Sequence, residues 1–412
     1  MTPPKTRAKK RTKKRIVILC DGTWNRTDTK DPTNVVKTAQ AMLPFDPEGV
    51  PQIPIYVRGV GSAEHSNGLS RFVDRTLGGA LGWGLMQNMV EAYRQLVFLY
   101  EPGDEVYIFG FSRGAYTART LTGLIRSSGI VSRDNLDLVP KAVARYRKRG
   151  DDTLIPSSDD SHAFRAKELK SKVATSTGEL HWRTKNRVTQ VPLFQVQFLG
   201  VWDTVGALGV PARFEILSKI FNRKYLFHDT KLSSMVLSAR HAVAIDEHRA
   251  AFLPTVWGNI EKLNTDTKLS DRPFREEYFA GDHGSVGGGG DIVGLSNIAL
   301  TWMLEGAQAR GLAFDTGRLD ALKTESDPIN TSLTNFSEKR TGIGNLITRI
   351  GPINRPGPAD VQDVHRSAKL RWCDTSVRDL PERYKPKTLQ NVENDLLAWC
   401  KHNDQGAQDT LS

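Results

Sequence analysis

The segment 110–114 constrains the fold most strongly, because it places a serine between two glycines at a point where a strand should become a helix. The run 105–109 before it is apolar and typical of a buried strand, and 115–120 after it is compatible with a helix. A Gly-x-Ser-x-Gly turn in this context lifts the serine hydroxyl clear of the sheet, and the glycines avoid Cβ clashes. Ser112 is therefore the candidate nucleophile; the alternative is an ordinary strand-to-helix turn.

The rest of the chain alternates between short apolar runs and amphipathic segments. Continuous apolar runs are typical of buried parallel strands, and apolar residues at helical spacing predict helices. The predicted strands are 15–20, 53–57, 105–109, 193–201 and 277–280, and the predicted helices are 33–42, 85–100, 231–244 and 296–310. This order predicts an α/β fold with a mostly parallel sheet and helices on both faces.

The chain divides into a basic tail, one large domain and a carboxyl-terminal extension. Residues 1–15 hold eight lysines and arginines and no acid, which accounts for most of the formal net charge of +11 and predicts a disordered tail. Residues 16–350 are predicted to form a single α/β domain. Its helical insertion, 129–191, is either a cap over a site or a surface elaboration. The extension, 351–412, is expected to pack on the domain.

Contact with an anionic membrane is one role that the basic tail could have, and a solubilising extension is the alternative. No specific nucleic-acid partner is expected. The only apolar stretch after the charges, 16–20, is too short for a signal peptide and is followed by Asp21. No run approaches the roughly 18 apolar residues of a membrane span. These features predict a cytoplasmic protein, with signal-independent export as an alternative, and they leave the oligomeric state open.

Three cysteines, Cys20, Cys373 and Cys400, are odd in number, far apart and without Cys-x-x-Cys spacing. Structural zinc sites and redox motifs usually place two cysteines close together in the chain. The pattern therefore fits a reducing compartment and no structural zinc.

Candidate partners for Ser112 follow two later predicted strands. A nucleophilic serine needs a base to take its proton and an acid to orient that base, and in α/β-hydrolases the chain order is serine, acid, histidine. Asp203 and His283 lie in that order, each just after a strand and among small residues. The sequence therefore predicts a triad of Ser112, Asp203 and His283, which needs neither a metal nor an organic cofactor.

Two other histidines and one glycine-rich loop offer alternatives. His241 and His248 lie at the end of the predicted helix 231–244, where a histidine more often caps carbonyls or binds a carboxylate, and His248 is kept as the alternative base. The glycines at 287–290 permit close approach of the backbone to a ligand and could instead form a phosphate cradle. They lack the Gly-Lys-Ser/Thr ending of a nucleotide loop.

Ester hydrolysis also needs two amide donors for the oxyanion. The amide of Arg113 follows the nucleophile directly and is the first candidate. The turn after the first strand, with Gly22 and Thr23, is best placed to supply the second. Asp21 in that turn would repel an oxyanion unless it is bonded to the loop backbone, so we expect it to hold the turn.

Four ordered blocks of the sequence carry a family resemblance. They are 19–25 (LCDGTWN) with 32–35 (PTNV), 110–119 (GFSRGAYTAR), 200–206 (GVWDTVG) and 244–249 (AIDEHR). Over roughly residues 15–310 the chain resembles the α/β-hydrolase domain family that includes the lipase effectors of type VI secretion. The resemblance implies an α/β-hydrolase domain and, for the characterised members, phospholipase activity on membrane glycerophospholipids. It also implies a Ser-Asp-His triad, which falls here on Ser112, Asp203 and His283.

One block departs from the family pattern. The family's histidine segment usually reads Gly-x-His-x-Asp-Val-Gly-Gly, whereas residues 281–288 read Gly-Asp-His-Gly-Ser-Val-Gly-Gly. Ser285 thus replaces the usual acid, although Asp282 is adjacent. The change would alter the anchoring of the loop or the polarity of the site, and it bears on the substrate class. The chain is also short for a secreted effector, which is compatible with a free-standing intracellular hydrolase.

Together these residues predict a serine hydrolase of the lipase or phospholipase type that cleaves carboxylic acyl esters through an acyl-enzyme. Acyl transfer would use the same triad and differ only in the acceptor. An alternative from another class is a catalytically altered α/β-hydrolase that binds nucleic acid or anionic membrane through its basic arm. The arm and the departure at Ser285 motivate that alternative.

Overall fold

Six parallel strands form the centre of the protein, in the order β2-β1-β3-β4-β5-β6. The computed structural model describes residues 13–22, 29–59, 78–148, 154–206, 231–249, 252–266, 272–335, 353–374 and 384–409. The strands are β1 Arg15–Cys20, β2 Gln52–Val57, β3 Glu105–Phe111, β4 Val196–Trp202, β5 Ala239–Ala244 and β6 Phe274–Phe279. The predicted α/β fold with a mostly parallel sheet is confirmed.

Helices follow most of the strands. Those before β4 are α1 Asn34–Ala41, α2 Gly78–Leu99, α3 Arg113–Ser128, α4 Val139–Arg147, α5 Asp159–Ala163 and α6 Thr177–Lys185. Those after β5 are α7 Ile260–Asp266, α8 His283–Gly287, α9 Gly294–Gln308, α10 Thr316–Thr324, α11 Arg366–Cys373 and α12 Glu393–Asp409. Thr33 caps α1, since its side chain accepts a hydrogen bond from the amide of Val36.

Alternate residues of the central strands point to opposite faces of the sheet, and helices cover both faces. On one face Ile16 and Ile108 pack in a core with α2 and α3. On the other face Val17 and Phe109 pack in a second core with α1 and α9. A strand buried on both faces needs apolar residues at nearly every position, which explains the continuous apolar runs of β1 and β3.

The order of the strands reverses between β1 and β3. From β1 the chain first forms β2 on one side and then crosses over to form β3 on the other. Open α/β sheets bind ligands in the crevice outside the carboxyl ends of the strands at such a reversal. Ser112 follows β3 directly, and Asp21 and Gly22 follow β1 directly, so these residues border that crevice.

The predicted helix over 231–244 is wrong, because its second half is the strand β5. Apolar residues at 232, 235, 236, 239, 242 and 243 have helical spacing, which produced the prediction. In the structure Ala239 pairs with Leu199 of β4 and with Phe274 of β6. Hydrogen bonding to neighbours on both sides overrides a local helical pattern, since a single strand cannot satisfy its backbone alone.

The described part of the insertion 129–191 contacts the end of α3 that lies away from Ser112. Ser128 Oγ donates to the carbonyl of Ala142, and Arg126 Nη1 donates to Thr175 Oγ1 at 2.8 Å; Arg126 and Ser128 both lie in the last turn of α3. A helix of 16 residues is about 24 Å long. These contacts lie at the end of α3 that is remote from Ser112, and the role of the insertion as a cap or a surface elaboration stays a prediction.

The carboxyl-terminal extension packs against the β5 and β6 side of the sheet. Val364 forms a parallel bridge with Tyr278 of β6. Val364, Trp372 and Leu396 share a core with Val243 of β5. The extension therefore covers a strand whose unpaired backbone groups would otherwise be open to another chain.

Cys373 in α11 and Cys400 in α12 form a disulfide. Packing of the two helices brings these residues together across 27 positions, so no local spacing could reveal the pair. Because disulfides persist in oxidising environments, the bond argues against the reducing compartment that the cysteine spacing suggested. Cys20 is buried and free.

Residues 13–15 belong to the fold and not to the predicted tail. Lys13 and Arg15 bind Glu105, and Arg15 Nη1 lies 2.5 Å from Asp46 Oδ2. Residues 1–12 lie outside the described residues, so disorder of the tail and its contact with an anionic membrane stay predictions. None of the helices in the described ranges is long and apolar enough to cross a membrane.

Candidate active site

Ser112 occupies a sharp turn between β3 and α3. Its φ of 58° and ψ of −122° are rare for a residue other than glycine. The amide of Ser112 donates to the carbonyl of Trp202 at 3.0 Å, so the turn starts directly after the last hydrogen bond between β3 and β4. The strand-to-helix turn expected around this serine is therefore present.

The two glycines of the turn are required by close packing. A Cβ atom on Gly110 would lie 2.5 Å from the carbonyl oxygen of Gly114, across the turn itself. A Cβ atom on Gly114 would lie 2.5 Å from the carbonyl oxygen of Asp21 and still closer to that of Cys20. Since these neighbours are backbone atoms, they cannot move aside as a side chain would. The Ser112 turn thus packs directly against the end of β1.

Replacing Gly114 with alanine should therefore destabilise the protein and misplace Ser112. We expect a loss of about 3 kcal/mol in the free energy of unfolding, the upper part of the range for overpacking, measured by urea denaturation. Gly258→Ala is the matched control, because a Cβ there meets no atom within 4 Å. Equal denaturation midpoints for the two variants would contradict the expected close packing.

His283 and Asp203 meet at the same edge of the sheet. His283 Nδ1 lies 2.5 Å from Asp203 Oδ2, and both side chains are buried. The imidazole contacts two aromatic rings, with ring centroids 4.6 Å apart for Phe111 and 4.8 Å apart for Phe252. Because Phe111 directly precedes Ser112, the structure brings the predicted acid and base together and places the base against the serine turn.

Arg355 is a site residue that the sequence reasoning missed. Its Nη1 donates to Asp203 Oδ1 at 2.6 Å and its Nη2 to Oδ2 at 2.9 Å. Burial by itself would raise the pKa of Asp203, but the charge of Arg355 and the hydrogen bonds from His283 and Arg355 hold that pKa well below its usual value. No local signal marks Arg355, which lies within a run of glycine and proline.

A second buried acid lies beside the histidine. Glu247 Oε2 accepts a 3.4 Å hydrogen bond from the amide of His283. Its carboxylate also forms an ion pair with Arg249, whose guanidinium stacks on the ring of Phe252. Burial alone would raise the pKa of Glu247, but the bonds from Arg249 lower it, so the acid is held as a carboxylate.

Ser285, which replaces the family's usual acid, has a structural contact. Its Oγ donates to the carbonyl of Leu333 at 3.0 Å, and its amide donates to Asp282 Oδ1 at 2.8 Å. Asp282 thereby caps α8, the short helix that begins with His283. The loop that carries the histidine is therefore anchored by Asp282 and Ser285 together.

The rival histidines have other partners. His241 is buried in β5, with Nδ1 2.8 Å from Glu276 Oε2 and with Nε2 accepting a 3.1 Å hydrogen bond from the amide of Thr204. Both of its ring nitrogens are thus occupied. His248 is exposed, and its Nδ1 lies 3.3 Å from the carbonyl oxygen of Ile353. The structure brings neither of them to Asp203, and this favours His283 over the alternative base His248.

The two proposed sources of oxyanion donors differ. Arg113 is the first residue of α3, so its amide has no acceptor within the helix. The amide of Gly22 already donates to Asp21 Oδ1 at 2.7 Å, which corrects the expectation that it is free for an oxyanion. Thr23 lies outside the described residues. Asp21 also accepts from Thr33 and Tyr56, in agreement with a role in holding the turn.

The glycine-rich loop packs against protein atoms. A Cβ on Gly287 would collide with the ring of Phe111, one on Gly288 with Asn34, and one on Gly290 with Asn335. These contacts explain the glycines without a phosphate cradle. Within the described ranges, no group of three or more histidine, cysteine, aspartate or glutamate side chains could hold a metal ion.

Comparison with known proteins decides the family. The family model described as the catalytic domain of the type VI secretion phospholipase effector Tle1-like family matches residues 14–306. The chain belongs to this family. The Tle1-like match covers β1 to β6 and therefore includes Ser112, Asp203 and His283, whereas Arg355 lies beyond it.

Individual relatives are more distant. An uncharacterized protein of Saccharomyces cerevisiae, YEL023C, is 29% identical over 250 residues, which are 58% of this chain and 32% of the yeast protein. A crystal structure of an uncharacterized protein from Pseudomonas aeruginosa is 18% identical, with a TM-score of 0.39 over 76% of this chain and 48% of that one. The Tle1 effector bound to the VgrG spike is 17% identical, with a TM-score of 0.35 over 69% of this chain and 52% of that one. The matches thus cover 32% of the yeast protein and 48% and 52% of the chains in the two solved structures.

Proposed function

We propose that the chain is a serine hydrolase that cleaves acyl esters of glycerophospholipids. Ser112 is the nucleophile, His283 the general base and then acid, and Asp203 the group that orients the histidine. The contact that carries the proposal is the 2.5 Å distance between His283 Nδ1 and Asp203 Oδ2, beside the turn of Ser112. Membership of a family of phospholipase effectors supports the substrate class.

The reaction follows from the roles of these atoms. Asp203 accepts a hydrogen bond from the Nδ1–H group of His283, which leaves Nε2 unprotonated to take the proton of Ser112 Oγ as that oxygen attacks the acyl carbonyl. The tetrahedral intermediate collapses, and Nε2 returns the proton to the departing lysophospholipid alcohol. Water then attacks the acyl-enzyme by the same proton route and releases the fatty acid.

The amino terminus of α3 supports this chemistry. The amide of Arg113 follows the nucleophile and can donate to the oxyanion, and the helix dipole adds partial positive charge at the same place. Since the Gly22 amide is bound to Asp21, we assign no second donor among the residues described.

The side chain of Arg113 supports a substrate that carries phosphate. Burial lowers the pKa of its guanidinium to about 10, and the side chain makes no hydrogen bond or ion pair with any residue that the structure describes. A phosphodiester next to the scissile ester would be a suitable partner for this cation, because arginine binds phosphate oxygens in a bidentate manner.

The direct test is to incubate the purified full chain with vesicles of phosphatidylcholine and phosphatidylglycerol and to measure fatty acid and lysophospholipid by mass spectrometry. We expect both products in equal amounts, and we expect a fluorophosphonate probe to label the peptide that contains Ser112. The heat-denatured protein is the control for labelling.

Folded protein that neither releases fatty acid from these vesicles or from short nitrophenyl esters nor reacts with the probe would refute the proposal. The alternative of a binding protein without catalysis predicts that result. Nothing in the family match or in the arrangement of His283 and Asp203 favours it.

A further inference from the structure

Arg355 of the carboxyl-terminal extension is a buried cation that contacts Asp203 in the candidate active site. Arg355 is only 3% exposed, although it lies in an irregular segment between proline residues. The residue follows the Tle1-like match, which ends at 306. A side chain from outside the matched domain therefore completes the surroundings of Asp203.

The contacts of Arg355 form a fork that fits the carboxylate. Besides the two bonds to Asp203, Nη1 donates to the carbonyl of Ala244 at 2.8 Å and Nη2 donates to the carbonyl of Phe252. A planar guanidinium that binds both oxygens of a carboxylate fixes its orientation as well as its position. The two backbone carbonyls in turn fix the guanidinium.

The carboxylate of Asp203 is fully occupied as a result. Oδ1 accepts from Arg355 Nη1 and from the amide of Ala244 at 3.0 Å, whereas Oδ2 accepts from Arg355 Nη2 and bonds to His283 Nδ1. Asp203 itself has a φ of 37°, uncommon for a residue other than glycine. Four hydrogen bonds therefore hold an acid whose own backbone is strained.

We propose that Arg355 is a positioning residue that clamps Asp203 for His283 and offsets part of the negative charge that the histidine meets. This inference rests on the proposed function. It makes the extension a part of the catalytic unit and not a separate module. Removal of the positive charge would let Asp203 attract the imidazolium form of His283 more strongly, so the enzyme would need a higher pH to keep its base unprotonated.

The other charged and titratable groups around Asp203 and His283 are the same in the wild type and in an Arg355 variant. Glu247 and Arg249 face His283 from the segment after β5, Asp282 precedes it at the start of α8, and Tyr278 lies on β6. Their effects are common to the wild type and to any Arg355 variant. A difference between the two proteins therefore reports the guanidinium of Arg355.

The test compares Arg355→Met and Arg355→Lys with the wild type in pH profiles of kcat/KM, with active sites counted by the fluorophosphonate probe. For Arg355→Met we expect kcat/KM per active site to fall about 10- to 100-fold, and the acidic limb to move up by about one pH unit. Arg355→Lys keeps the charge but loses the fork. Arg355→Lys should leave the acidic limb of the profile within a few tenths of a pH unit of its wild-type position. It should still lower kcat more than it changes KM.

Arg183→Met is the matched control, because Arg183 also is a buried arginine paired with an acid, Glu179, in the insertion. It should lower stability and leave the acidic limb in place. An unchanged limb and an unchanged kcat per labelled site in Arg355→Met would overturn the inference, since that result describes an anchor for the extension alone. If Arg355→Met does not fold, an Arg355→Lys variant with wild-type kcat overturns it instead. A wild-type chain without hydrolysis or labelling would overturn the proposed function and this inference with it.

Discussion

Ser112→Ala is expected to lower kcat/KM for phospholipid vesicles by at least about 10⁴-fold, the scale on which serine hydrolases lose activity when the nucleophile is removed. The residual rate would come from substrate binding and oxyanion donors alone. Alanine is no more strained than serine at the φ of 58°, and only the Oγ atom is lost. Activity should therefore disappear without a change in the denaturation midpoint.

The matched control for this variant is Ser128→Ala. Ser128 is a buried serine at the other end of the same helix, where its Oγ donates to the carbonyl of Ala142. This substitution should cost about 1 kcal/mol of stability, the usual contribution of one hydrogen bond, and leave kcat/KM unchanged. A Ser112→Ala protein that keeps more than one tenth of wild-type activity would exclude Ser112 as the nucleophile.

Asp203→Asn is expected to lower kcat by about 10³- to 10⁴-fold, because an amide holds the histidine in the wrong tautomer and cannot stabilise the imidazolium. The same change leaves the buried guanidinium of Arg355 without its counterion. Breaking a buried ion pair in this way costs about 3 to 5 kcal/mol. Asp203→Asn should therefore reduce both activity and stability, measured by ester hydrolysis and urea denaturation.

A double variant separates the two effects. Asp203→Asn with Arg355→Met removes both charges, so it should recover most of the stability that Asp203→Asn loses. Activity should stay at the level of Asp203→Asn, because the histidine still lacks its acid. If stability and activity recover together, Asp203 has only a structural role, and the proposed triad is wrong.

Much of the candidate site follows from the sequence because its parts lie at the ends of strands. A run of apolar residues that ends at Asp203 or near His283 indicates a buried parallel strand, and all parallel strands end at one edge of the sheet. Chain order then selects an acid and a base after Ser112. In the structure these two side chains are in contact, and the base lies against the ring that precedes Ser112.

Other predictions failed where local pattern and long-range pairing disagree. The spacing of apolar residues in 231–244 is helical, but Ala239–Ala244 forms a strand that pairs with β4 on one side and with β6 on the other. Gly22 is in a suitable turn, yet its amide is taken by the neighbouring carboxylate of Asp21. Spacing along the chain does not report which hydrogen-bond partner lies nearest in space.

The sequence by itself determined the α/β class, the turn of Ser112 and the order of its two candidate partners, because each depends on residue types within a few positions of a strand end. Only the tertiary structure decided that His283 and not His248 meets Asp203, that Cys373 pairs with Cys400, and that Arg355 binds the acid from 152 positions away. Those contacts join segments that are remote in the chain. The contact of His283 with Asp203 forms because β4 and β6 end at the same edge of the sheet. The other two contacts come from the folding of the extension, which no local periodicity encodes.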